Sequence, residues 1–375
     1  MDKIHLAFDA TATPDQLTGA GYYVKEILHG LDAREDVSLS IVTRTNDGRR
    51  FSQYAPGAKI LDIAPVNKAA RIAFQAFKLG QLVDSLDADV FHGPHYQLPE
   101  KMNTPSVVTI HDTTLLTHHE VHTRIKRLFF SRIIPRSVVR ARSIITVSNH
   151  TASDVKKLFT QHGEIFVAQL GIDTQRFSPE KSPEDVALLE QRGITQPYVA
   201  FLGSFEPRKS IPTLINAFAV VAHKFPDHRL VLAGPNGWDT HNVRQAIAES
   251  GITTHIVVPG RLENNEIGPY LRNAEIFVYP SIYEGFGMPV AEAMACGTPT
   301  ITTNSSSLKE VAGEGALLIK PRDHQGLAEK IESLLANGSL RSKMSDQALE
   351  RSKAFSWETC VNTHVDAYRF AVREI

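Results

Sequence analysis

The chain has few cysteines, almost no net charge and no long apolar run. Cys296 and Cys360 are its only cysteines. Two thiols build neither a disulfide framework nor a zinc cluster, so a reducing compartment is expected. Lysine and arginine total 40 against 41 aspartates and glutamates, a formal charge of −1, which argues against a protein organised around a nucleic-acid backbone. No stretch reaches the ~18–20 apolar residues needed to cross a bilayer. Met1-Asp2-Lys3-Ile4 runs straight into a strand pattern, without the apolar core of a secretion signal. The expectation is a cytoplasmic protein, at most peripheral on the inner face of the membrane. A cluster of aspartates suited to a metal is also missing. Asp87-Ala88-Asp89 has the spacing of one metal motif, but it precedes a strand rather than following one and reads as helix-end capping.

What is present is an α/β alternation from end to end. The 375 residues, 42% hydrophobic and 22% charged, suffice for two domains of ordinary size. Short β-rich runs at 4–8, 39–43, 90–92, 107–110, 144–147 and 165–168 alternate with helical patterns. A second series follows at 198–202, 230–233, 256–258, 276–279, 300–302 and 317–319. Continuous apolar strands between helices predict parallel sheets covered on both faces. The polar stretch from Asp173 to Gly193, with Pro179 and Pro183, reads as a linker and a short helix. The expected layout is a Rossmann-like domain at 1–178, a second at 179–355, and a final helix at 356–375 that packs back onto the first. A cleft between the carboxyl ends of the two sheets is where such folds bind ligands.

The most informative segment is PSIYEGFGMPVAEAMACGTP, Pro280 to Pro299. It leaves a strand, passes two glycines and enters a helix at Pro289, a residue suited to the first helical position. Gly285 and Gly287 allow the backbone to approach a ligand closely. The Val290 and Ala291 amides are expected to face outward from the helix start, a dock for an anion such as a diphosphate. Glu284 on the loop and Glu292, expected in the first helical turn, bracket that dock. Anion-binding amides between two hydroxyl-seeking carboxylates suit a sugar nucleotide.

Other features sit on strand ends. Arg208 and Lys209 follow the strand 198–202 and Gly203, where cations would stabilise the negative charge of a departing diphosphate. Gly19-Ala20-Gly21 precedes a helix expected at 22–31. It is not a complete dinucleotide fingerprint, because Val24 stands at the third glycine position. His111 and Asp112 end the strand 107–110. His92, His95 and Tyr96, at the end of the preceding strand, could line an acceptor side. Arg124 to Arg142 carries seven basic residues and no acid, interleaved with Ile125, Leu128, Phe129, Ile133, Ile134 and Val138. Such a helix suits an anionic membrane surface, although an ordinary helix with one buried and one solvated face reads slightly better.

With these pieces in order, the chain resembles the GT4 family of retaining glycosyltransferases, which have the GT-B fold of two facing Rossmann-like domains. The resemblance rests on Gly19-Ala20-Gly21, His111-Asp112, Val147-Ser148-Asn149, Gly203 to Lys209, Gly260-Arg261-Leu262 and the Glu284 to Glu292 motif. Several segments are especially similar to bacterial mannosyltransferases of polysaccharide assembly. The resemblance implies that Glu284 holds donor-sugar hydroxyls and Glu292 the nucleotide ribose. The backbone of Phe286, Gly287, Met288, Pro289 and Val290 would contact sugar and phosphate. Arg208 and Lys209 would serve the diphosphate, Gly21 would face it, Leu262 would offer its backbone to the base, and His111 would lie near the donor sugar. His95, Tyr96 and Asp112 are candidates for the acceptor side. Some family members have a cation directly after the strand glycine; Ser204 stands there in this chain.

The implied activity is metal-independent, retaining transfer of a hexose, mannose from GDP-mannose, to a saccharide or lipid-linked saccharide. The nucleoside-diphosphate sugar is a co-substrate, and no separate cofactor is implied. Transfer of another hexose or N-acetylhexosamine from a UDP-sugar, or epimerase or hydrolase chemistry on the same fold, stays open.

Overall fold

Short apolar runs separated by amphipathic helices favour parallel strands with helices on either side. A computed structural model describes residues 3–15, 19–117 and 124–373, without the side chains of 124–127 and 129. Met1 and Asp2, and the side chains of Arg124, Ile125, Lys126, Arg127 and Phe129 in the basic segment, lie outside the described residues. The chain divides into two units, Met1–Gly171 with Ser356–Ile375, and Ile172–Phe355. The division precedes the boundary expected near Pro179, because the residues between belong with the second unit. The Ile172 N–H donates to the Phe355 carbonyl at 3.3 Å, and Arg176 Nε to the Asn264 carbonyl at 2.8 Å.

The first unit is built on β1 (Ile4–Asp9), β2 (Val37–Arg44), β3 (Lys59–Ala64), β4 (Val90–Gly93), β5 (Ser106–Ile110), β6 (Ser143–Thr146) and β7 (Glu164–Val167). Their spatial order is β3-β2-β1-β4-β5-β6-β7, and all pair in parallel. The second contains β8 (Tyr198–Leu202), β9 (Arg229–Ala233), β10 (Ile256–Gly260), β11 (Ile276–Tyr279), β12 (Thr300–Thr303) and β13 (Ala316–Ile319). Their order is β10-β9-β8-β11-β12-β13, again all parallel. The order reverses once in each sheet, between β1 and β4 and between β8 and β11. Loops leaving the carboxyl ends of such a pair part in opposite directions and leave room for a ligand. The expected strands all form. β3 was not foreseen because it is an edge strand whose Lys59, Asp62 and Ile63 are exposed, so its pattern lacks the apolar continuity of the central strands.

The helix Trp357–Arg373 belongs to the first unit, where it packs on β4 to β7 and on the helix Gly19–Asp32. Its buried face is Cys360, Val361, His364, Val365, Ala367, Tyr368 and Ala371, at the three- and four-residue spacing of one helical stripe. A directed chain of hydrogen bonds fixes it. His364 Nδ1 must donate to the Cys360 carbonyl at 2.7 Å, so Nε2 accepts from Tyr23 Oη at 2.7 Å. Thr109 Oγ1 therefore donates to Tyr23 Oη at 2.7 Å and accepts from His92 Nε2 at 2.8 Å. That leaves His92 Nδ1 to accept from Tyr368 Oη at 2.8 Å. The chain takes this direction because burial keeps both rings neutral. Burial pushes His92 well below its ordinary value and His364 down to about 4. No described helix is long and apolar enough to cross a membrane.

Candidate active site

The reversal point of the second sheet gathers the charged residues. After β8 the Gly203 amide donates to the Ala233 carbonyl at 3.0 Å, and the chain makes one 3-10 turn, Pro207–Lys209. Ser210, at φ 52°, takes a left-handed conformation before the helix Ile211–Ala222. This places Arg208 and Lys209 against the loop leaving β11, where the Ile282 N–H donates to the Arg208 carbonyl at 2.7 Å.

Glu284 is the hub. Its Oε1 accepts from Lys209 Nζ at 2.7 Å, from Ser281 Oγ at 2.6 Å and from Tyr279 Oη at 3.1 Å. Its Oε2 lies 2.5 Å from the Arg208 guanidinium. Lys209 also donates to the Tyr279 hydroxyl, with its ammonium 4.7 Å from the centre of that ring. Arg208 Nε meets Glu206 at 2.9 Å, and Glu206 accepts from Ser204 Oγ at 3.0 Å. Two cations thus face two carboxylates.

Burial strains both central charges. It would raise the Glu284 carboxyl, but Arg208, Lys209 and Ser281 together outweigh it and bring the group to about 2. Burial and the neighbouring Arg208 push Lys209 down to about 8 despite the opposing pull of Glu284. A buried carboxylate held by two cations and two hydroxyls is kept ionised and fixed in orientation.

The glycine turn follows. The Glu284 N–H donates to Ser306 Oγ at 2.9 Å, while Ser307 Oγ lies 2.8 and 2.9 Å from the Glu284 and Phe286 carbonyls. Gly287, at φ 103°, precedes the helix Met288–Ala295; a Cβ there would stand 2.6 Å from Leu308 Cδ2. Two expectations need correction. The Val290 and Ala291 amides do not face outward: both donate to the Gly287 carbonyl, at 2.9 and 3.4 Å. Glu292 stands beyond the first helical turn, because the helix begins at Met288 and not at Pro289. Burial raises the Glu292 carboxyl to about 7, against the pull of Arg176 and with Asp173 adding to the rise. Phe286, Val290 and Leu262 are buried, while Met288 and Pro289 are half-buried.

The remaining candidates belong to the first unit. Gly21 is buried inside the helix Gly19–Asp32, so the glycines form its first turn and do not precede it. His111 Nε2 must donate to the Pro94 carbonyl at 2.8 Å, which leaves Nδ1 as an acceptor while the ring is neutral. Burial lowers its pKa. Around it stand Tyr23, His95 and Tyr96, with ring centroids 4.8, 5.6 and 5.7 Å away. Burial and His111 push His95 down to about 3. Asp112 is engaged locally, accepting from Thr114 N and Oγ1 at 3.0 and 2.6 Å. Asp89 accepts from the His5 amide at 2.7 Å, so it ties the start of a strand and not the end of a helix. No described group of three His, Cys, Asp or Glu is arranged to hold a metal.

Arg208, Lys209 and Glu284 are therefore brought into one cluster. Tyr279, Ser281 and Glu206 complete it without having been singled out in the sequence. Tyr279 reads there as the last apolar residue of a strand, and only its hydroxyl at a strand end hints at more. Arg176 beside Glu292 carried no sequence signal.

Two family models match successive parts of the chain. The model for glycosyltransferase family 4 matches residues 17–176, and that for group 1 glycosyl transferases matches 189–351. Among relatives, the O-antigen chain mannosyltransferase B of Escherichia coli is 30% identical over 75% of this chain and 74% of its own length. The MMP alpha-(1->4)-mannosyltransferase of Mycolicibacterium hassiacum is 28% identical over 73% of this chain and 67% of its own. Sucrose-phosphate synthase from Thermosynechococcus elongatus superposes with a TM-score of 0.79 at 22% identity, covering 98% of both chains. Anabaena HepE in complex with UDP-glucose superposes at 0.74 and 18% identity, covering 97% of this chain and 98% of that one. The chain belongs to the GT4 family of glycosyltransferases. It is an enzyme of GT-B type, with two parallel-sheet Rossmann-like domains.

Proposed function

We propose that the chain is a retaining hexosyltransferase that moves mannose from GDP-mannose to a saccharide hydroxyl, working in the cytoplasm. The observation that carries this reading is the buried Arg208–Glu284–Lys209 cluster at the reversal point of the second sheet. When the bond from the sugar C1 to the diphosphate breaks, charge develops on the departing phosphate. Arg208 and Lys209 supply fixed positive charge for it, and preorganised charge of that kind needs no rearrangement at the moment of reaction. Glu284, held ionised, accepts from hydroxyls of the sugar, and Glu292 from the ribose.

In this reading the first unit presents the acceptor beside His111, His95 and Tyr96. The acceptor oxygen bonds to C1 on the face that the phosphate leaves, and its proton passes to a leaving phosphate oxygen, so the configuration is retained. Two mannosyltransferases among the relatives support mannose. Thermal-shift measurements against GDP-, UDP-, ADP- and dTDP-sugars test the donor. A ligand that binds only the folded chain raises its melting point, and GDP-mannose is expected to give the largest rise. A larger rise with a UDP-sugar would replace the mannose reading. Free sugar or an epimer appearing without an acceptor would point to hydrolase or epimerase chemistry.

A further inference from the structure

Four charges meet at the reversal point of the second sheet, and they sum to zero. Arg208 and Lys209 are positive, Glu206 and Glu284 negative. A site that receives a diphosphate gains from net positive charge, so the second acid needs a reason. Glu284 meets the sugar in the reading above. Glu206 has no such duty, and its contacts brace nothing beyond the loop that carries it. Among the described residues its carboxylate bonds to Ser204 Oγ at 3.0 Å and Arg208 Nε at 2.9 Å, both on that loop. It does not cap the 3-10 turn that follows. The backbone is held without it. The Phe205 N–H donates to the Pro235 carbonyl at 3.2 Å, and the Asp239 N–H to the Phe205 carbonyl at 3.0 Å. The Lys209 N–H donates to the Glu206 carbonyl at 2.9 Å.

The loop is therefore fixed while the carboxylate can move, its side chain 31% exposed against 10% for Glu284. Burial would raise the Glu206 carboxyl, but Arg208, Lys209 and Ser204 outweigh it and hold it ionised. A phosphate oxygen within hydrogen-bond reach of the Arg208 guanidinium would come close to that negative charge. Like charges at such range repel even where water reaches one of them. Glu206 and the diphosphate thus need the same cation. We infer that Glu206 is an internal competitor for the diphosphate. It holds Arg208, yields it when the donor binds, and reclaims it to release the nucleoside diphosphate left after transfer. This rests on the transferase reading above and adds a residue that sets affinity for the diphosphate. Two fixed cations without a competitor would grip donor and product alike. Such uniform binding adds nothing to the rate of the chemical step and slows product release, a step that limits many enzymes.

Titration calorimetry on Glu206→Gln tests it. The amide keeps the length of the side chain and an oxygen for Arg208 and Ser204, and removes only the charge. GDP, UDP, ADP and dTDP are each compared with the matching monophosphate and nucleoside. The diphosphate that binds the parent is expected to bind the variant about tenfold more tightly, the size of one like charge withdrawn from a partly solvated site. The gain should be smaller for the monophosphate, absent for the nucleoside and reduced in high salt. A melting transition like the parent's confirms that the variant is folded. Binding by the parent that Glu206→Gln leaves unchanged or weakens, or an equal gain for the nucleoside, removes the competitor alone and makes Glu206 a brace for Arg208. Tightened diphosphate binding with no transfer from any nucleotide sugar removes the transferase reading alone. No binding by parent or variant removes both.

Discussion

Lys209 Nζ stands 2.7 Å from Glu284 Oε1, with only 5% and 8% of the two residues exposed. Glu284 is the main compensation of the Lys209 charge, and Lys209 shares with Arg208 the compensation of Glu284, in a place where water does little. Removing one partner of such a buried pair costs about 3–5 kcal/mol, because the other charge is stranded. Lys209→Ala and Glu284→Ala are each expected to lower turnover at least ~100-fold. The double variant should cost less than the two singles multiplied, as for residues that act through each other. Near-wild-type turnover in both single variants refutes the site.

The same ammonium has a pH signature. With Lys209 at about 8, its charge is present below pH 8 and lost above it, so donor affinity should fall as pH rises from 7 to 9.5. Titration calorimetry with the nucleotide sugar measures this. Lys209→Arg keeps its charge throughout and should remove the fall, whatever its absolute affinity.

Glu292 shifts the other way. Its folded pKa of about 7 lies above the ordinary 4.5, so folding favours the protonated form. Stability should therefore decline as pH climbs from 4.5 to 7 and stay reduced beyond. Glu292→Gln, neutral at every pH, is expected to melt higher than the parent at pH 8, by an equivalent of roughly 3 kcal/mol. Near pH 4.5 the two should melt alike. Equal melting at both pH values contradicts the burial argument.

Acid should act on the hydrogen-bond chain beneath the C-terminal helix. His92 and His364 have folded pKa values below the ordinary 6.5. In the unfolded chain they take up protons below that value while in the folded chain they do not. Stability from this source is complete above pH 6.5 and drains away toward pH 4. Tyr368→Phe removes the donor to His92 Nδ1 and should cost about 1–3 kcal/mol at neutral pH, read as a lower melting point.

If Arg208 and Lys209 provide the charge for the departing diphosphate, a chelator should make no difference. Turnover in EDTA is expected to equal that in magnesium. A loss restored by added divalent ion would move that role from the cations to a metal.

The two parallel sheets were legible because central strands such as β8 and β11 are apolar without interruption. β3 was not legible, since Lys59 and Asp62 break its pattern at an edge where water replaces a neighbour. Arg208, Lys209 and Glu284 were visible as residue types on strand ends. Their direct pairing was hidden, because the contact joins loops after β8 and β11 that lie 75 positions apart. The amides of Val290 and Ala291 were misread for a local reason. Gly287 in a positive-φ conformation turns its own carbonyl toward them, and no residue pattern announces that turn.

The first unit is interrupted in sequence by the second and completed by the helix Trp357–Arg373. On the ribosome, Ile172–Phe355 is a continuous stretch able to fold as it emerges. The earlier-made portion is expected instead to wait, with the places for His364 and Tyr368 vacant, until the helix Trp357–Arg373 has emerged. Synthesis order and completion order are thus reversed. A nascent chain stopped before Trp357 should already resist protease across its later half while its earlier half stays open to cleavage.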